Sequence, residues 1–106
     1  MQSVRYLLVI LFLSAQAAQA TTGWGCFNVI NVPSGDVLNL RSGPSTSDAV
    51  VGQIVPGQHG IIAERGACLP ANRPPSEQWC PVKHYDGDTV MEGWARLRYL
   101  APSECP

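Results

Sequence analysis

The chain has 106 residues, with seven basic and eight acidic side chains, a formal net charge of −1 and only 14% charged residues. Charge this sparse and balanced, with no basic run, excludes a nucleic-acid-binding surface. Ten glycines, nine prolines and no low-complexity segment describe one small globular domain rather than a fibre or a disordered chain.

Residues 1–20 read as an address. Arg5 gives a positive start, residues 6–13 (Y-L-L-V-I-L-F-L) are an unbroken apolar run, and Ala18-Gln19-Ala20 is a small-x-small cleavage site. The run falls far short of the ~20 residues a spanning helix needs. A signal peptide cut after Ala20 is therefore expected, with no membrane span left behind. Removing Arg5 leaves six basic against eight acidic residues, a net charge of −2. Residues 21–26 form a short N-terminal segment, in which Trp24 stands where a lipid-attachment motif before Cys26 would need a small or aliphatic side chain. Four cysteines remain: Cys26, Cys68, Cys80 and Cys105. An even number in a small exported domain reads as disulfides, and the residues alone leave all the connectivities open. No C-x-x-C pair is present, so no zinc site, no other metal and no cofactor are expected.

The remaining elements read as strands and turns. Residues 27–32 (F-N-V-I-N-V) alternate loosely and end at Pro33-Ser34-Gly35-Asp36, a turn built from turn-forming residues. Leu38 and Leu40 point to one side of the next strand, Asn39 and Arg41 to the other. Gly43-Pro44 stops it, because proline cannot donate to a ladder. Residues 50–55 and 60–64 are the next two strands, with Pro56-Gly57 between them, and residues 70–76 hold three prolines and form a loop. Residues 78–85 and 90–97 pair as a hairpin around Asp86-Gly87-Asp88, and Arg98-Tyr99-Leu100 makes one helical turn before the tail. No segment keeps an apolar period of 3.6 residues, so no long helix is expected.

Three motifs in this order carry a resemblance: L-N-L-R-S-G-P-S at residues 38–45, V-V-G-Q-I-V-P-G at 50–57 and G-W-A-R-L-R-Y-L at 93–100. The set resembles the bacterial SH3-like domain, the Src-homology-3 barrel of bacterial envelope proteins, over residues 27–102. The resemblance implies an all-β fold: a small SH3-like barrel of five to seven short strands, braced by disulfides, with one short helical turn near the C-terminus. It also implies the pairing. The ends of a small barrel lie together, which joins Cys26 to Cys105 and ties down a tail at 103–106. Cys68 and Cys80 flank an excursion between neighbouring strands, which joins them to each other. The long loop at 66–77 and the four cysteines depart from the usual pattern.

The conspicuous side chains divide between packing and binding. Arg41 could fork onto a ligand carboxylate or brace the turn at 42–45, and the resemblance assigns the motif arginine to the fold. Trp94 is expected to fill or seal the core, and Trp79 to pack on the disulfide beside it. His59 and His84 are expected at solvent-exposed positions. No G-x-S-x-G elbow and no free thiol is expected, and the catalytic domain that often accompanies this family is missing, so no enzyme is expected. The expected function is a non-catalytic binding module of the bacterial envelope, periplasmic or secreted, recognising peptidoglycan or an envelope peptide or protein as a monomer. Tyr85, Tyr99, Trp24 and Arg98, with Arg41, are its candidate ligand-binding residues. The other reading is an exported inhibitor or effector that grips another protein through the 66–77 loop.

Overall fold

The computed structural model describes residues 24–106, so the expected signal peptide lies outside the described residues. Seven strands follow one another: β1 (Cys26–Val29), β2 (Leu38–Arg41), β3 (Val50–Ile54), β4 (Ile61–Glu64), β5 (Trp79–Asp86), β6 (Thr89–Arg96) and β7 (Leu100–Ser103). Two single 3-10 turns, Pro75–Glu77 and Leu97–Tyr99, interrupt them. Every pairing is antiparallel, in the order β3-β2-β6-β5-β4-β1-β7, and the sheet curls into a small barrel. Among the described residues no helix is long and apolar enough to cross a membrane.

Period-two alternation builds the core. Leu38 and Leu40 of β2, Ile54 of β3, Ile62 of β4, Cys80 and Val82 of β5, Ala95 of β6 and Leu100 of β7 meet with Phe27 inside the barrel. Leu40 and Ile54 are fully buried, and each such side chain contributes about 1.5–3 kcal/mol. Gly93 lets β6 lie close beside β2, because a Cβ there would sit tightly, 3.0 Å from the Leu40 Cβ and 3.1 Å from the Arg41 carbonyl oxygen. Gly87, with φ +62, takes the first central position of the two-residue β5–β6 turn, where type II′ turns place glycine.

Both disulfides form as Cys26–Cys105 and Cys68–Cys80, and no cysteine is free. Several details differ from the sequence expectation. The first strand ends at Val29 rather than residue 32, because Asn31 turns to φ 61. Its side-chain Nδ2 donates to the Arg98 carbonyl at 3.1 Å, and the Ile30 N–H donates to Tyr99 at 2.9 Å. The helical turn sits one residue earlier, at Leu97–Tyr99, and Leu100 onward is a strand paired with β1 in full register. Pro102 is tolerated there because β7 is an edge strand. His84 is buried, not exposed: it shares the inward face of β5 with Cys80 and Val82 and pairs with Ile62. Trp94 does not fill the core. Its neighbours Gly93 and Ala95 turn inward, which leaves Trp94 half-buried on the outer face opposite Pro81.

Candidate functional site

A cleft of about 250 Å³ opens where the Val32–Leu38 connection, β2 and the starts and ends of the β5–β6 hairpin converge. Its walls include Asp36, Asn39, Arg41, Trp79, Arg96 and Tyr99. The cleft is a product of register. Trp79 opens β5 and Arg96 closes β6, and the hairpin places them directly opposite. The Arg96 guanidinium lies 5.0 Å from the Trp79 ring centroid, a stacked cation–π contact. Trp79 is only 7% exposed, so its face belongs to Arg96 and not to solvent.

Arg41 crosses from β2 to the following turn. Its Nη1 donates to the carbonyls of Thr46 at 3.2 Å and Asp48 at 3.0 Å. Ser42 N–H to Ala49 O, Asp48 N–H to Ser45 O and Ser47 N–H to the Ser45 hydroxyl complete the brace. The motif arginine thus organises the turn through Nη1 while its guanidinium still borders the cleft. Also lining the cleft, Asp36 accepts the Val37 N–H at 2.8 Å, and Asn39, on the same side of β2 as Arg41, accepts from Gln53 at 3.3 Å.

The charges in the cleft are not joined in ion pairs. Among the described residues the ion pairs are Arg65 with Glu92, Arg73 with Glu77 and Lys83 with Glu92, and neither Arg41 nor Arg96 takes part. Asp36 lines the same cleft without pairing to either arginine.

Of the five residues expected from sequence to bind, Arg41 and Tyr99 line this cleft. Arg98 flanks it: its guanidinium is 5.9 Å from the Tyr99 ring and its Nε donates to Ser76 O at 3.3 Å, tying the long loop to the barrel. Tyr85 lies six residues along β5 from Trp79, which is about 20 Å of strand. There it forms an exposed row with its cross-strand partners Ile61 and Val90, and Lys83 Nζ sits 5.5 Å from its ring. Trp24 is exposed at the start of the described chain, outside the cleft. Sequence reasoning missed Arg96, and it gave Trp79 to disulfide packing alone. Counting back from the Gly87-Asp88 turn in antiparallel register pairs the two and was the available signal.

The cleft holds no assembled nucleophile. All four cysteines are bridged, and among the described residues no three His, Cys, Asp or Glu side chains are grouped to hold a metal. Comparison with curated proteins and comparison with solved structures each gave no match. The family model described as bacterial SH3 domain matches residues 36–101, more than half of the chain, from the cleft wall at Asp36 to the start of β7. With its antiparallel barrel, braced motif arginine and terminal G-W strand, the chain belongs to the bacterial SH3 domain family.

Proposed function

We propose that the protein is a non-catalytic recognition module of the bacterial envelope, whose ligand, a wall fragment or an envelope peptide, binds in the Arg41–Trp79–Arg96–Tyr99 cleft. One observation carries this reading: two half-buried guanidiniums without carboxylate partners face one cleft among the described residues. Burying charge without a partner costs free energy, and a ligand that supplies the partner recovers it. Arg41, Trp79 and Arg96 are set by strands and a braced turn before any ligand arrives, which lowers the ordering cost of binding. Two disulfides suit an oxidising compartment and support a periplasmic or secreted location.

Chemical-shift mapping with soluble muropeptides tests the reading on the intact oxidised protein. Shifts should gather at Asn39, Trp79, Arg96 and Tyr99 and leave Tyr85 and Val90 unmoved. Shifts confined to the Ile61–Tyr85–Val90 row, or none at all, would refute the cleft as the binding site.

A further inference from the structure

The cleft distinguishes among envelope ligands. A glycan site presents open aromatic faces for sugar rings, yet of the two aromatics lining the cleft Trp79 is covered by Arg96 and 7% exposed, and Tyr99 is half-buried with the Arg98 guanidinium 5.9 Å from its ring centroid. What the stack offers instead is an oriented guanidinium. Arg96 makes no hydrogen bond or ion pair among the described residues, so its planar fork of N–H donors is held in place by the ring and left uncommitted. Arg41 spends Nη1 on the Thr46 and Asp48 carbonyls and keeps its Nε and Nη2 protons. At about 250 Å³ the cleft is below the roughly 300–1,000 Å³ range of drug-sized sites. It suits the end of a chain better than a segment passing through. Val32, Pro33 and Val37 give the apolar wall against which the last side chain would rest.

We infer that the cleft takes the free carboxylate of a peptide end, held as a bidentate pair by Arg96 with Arg41 alongside. The inference rests on the binding reading above and narrows its ligand to carboxylate-terminated peptide. Asp36, the acidic group that also lines the cleft, disfavours a ligand with several negative charges close together and can accept from an N–H of the peptide's last residues.

The test is a titration of the isotope-labelled, oxidised protein with the cell-wall stem tetrapeptide, once with its C-terminal carboxylate free and once with that carboxylate alone amidated. The free peptide should shift the Trp79 indole and Arg96 Nε signals and bind at least about tenfold more tightly than the amide, as expected for losing charge-assisted bonds. Arg96→Gln should lower affinity for the free peptide and shrink its preference over the amide well below tenfold. Arg96→Lys should recover only part, because an ammonium cannot fork. An L-alanine tetrapeptide with a free C-terminus sorts the source: equal affinity makes any chain end competent, weaker affinity assigns the wall peptide, and both uphold carboxylate recognition. Equal affinity of free and amidated peptides at the same cleft residues would overturn this inference and leave the binding reading standing. Shifts outside the cleft with both peptides would overturn the two together. The amide comparison uses the unaltered protein, so it decides even where an Arg96 variant fails to fold.

Discussion

His84 is 6% exposed on the inward face of β5, and its Nε2 has no hydrogen-bond partner among the described residues. Burial lowers its pKa below the ordinary 6.5; the Asp86 carboxylate opposes that shift and the neighbouring His59 adds to it. The unfolded chain therefore takes up a proton between the lowered value and 6.5 that the folded chain refuses. Stability from a neutral His84 is complete above 6.5 and is lost as pH falls through that window. Glu64 works in the opposite sense, because burial raises its pKa above 4.5. Its contribution is present below 4.5 and is lost as pH rises through the raised value. The two effects oppose each other, so the histidine is isolated by substitution. Thermal melts of His84→Leu between about pH 7 and about pH 5 should show a flatter decline than the parent protein. At neutral pH the variant should be no less stable, since removing an unpaired buried nitrogen relieves about 1–3 kcal/mol. Parallel melting curves for both proteins across that range would show that His84 does not set the acid limb.

The loop from Cys68 to Cys80 is an element in its own right. Its base is a reciprocal pair of backbone bonds, Leu69 N–H to Trp79 O at 2.7 Å and Trp79 N–H to Leu69 O at 2.6 Å. Above that, Gln78 donates to the carbonyls of Pro70 at 3.1 Å and Arg73 at 3.0 Å, and Arg73 pairs with Glu77 at 3.0 Å. That exposed ion pair contributes at most about 1 kcal/mol, so the disulfide and the backbone pair hold the loop. The loop in turn holds Trp79, and Trp79 holds Arg96. The Cys68 and Cys80 bridge spans 12 residues, whereas the Cys26 and Cys105 bridge spans 79. Loop-closure entropy then gives about 3 kcal/mol for the short one and about 4.5 kcal/mol for the long one. Replacing Cys68 and Cys80 together by Ala should leave the barrel folded and lower its melting temperature less than the same change at Cys26 and Cys105. The short-bridge variant should nonetheless lose ligand affinity, because Trp79 is no longer pinned. Calorimetry paired with a binding titration separates the two losses; equal melting losses, or unchanged binding in the short-bridge variant, would contradict this ordering.

At the scale of the molecule, the parts legible in the sequence are those specified locally. Leu38 to Arg41 alternates and stops at Gly43-Pro44, and the Gly87 turn marks the hairpin axis, so β2, β5 and β6 are readable from short stretches. What escaped is cooperative. β7 carries Pro102 and has no period of its own; its strand geometry comes from β1 and from the Cys26–Cys105 bridge. Asn31 leaves the first strand only because Arg98 and Tyr99 accept its bonds and those of Ile30. The cleft escaped for the same reason, since Trp79 and Arg96 meet through hairpin register and Asp36 reaches them through a separate connection. The barrel also leaves two edges among the described residues, β3 and β7. β7 is short, carries Pro102 and is followed by a disulfide. β3 is less protected: residues 49–55 (A-V-V-G-Q-I-V) hold no charge and no proline, and Val50, Val51 and Val55 are exposed. An uncharged, β-prone edge of that length is a template for strand addition between copies. The irregular register between Leu40 and Arg41, which leaves Val51 out of step, is the protective feature present. Val55 lies just beyond β3 and is 45% exposed, so a charge there meets water rather than the core. Val55→Lys should change stability by no more than about 0.5 kcal/mol. It should also reduce light scattering of concentrated protein held just below its melting temperature, because pairing two copies along β3 would then bury a lysine from each. Scattering unchanged in that variant would mean that association, where it occurs, runs through another surface.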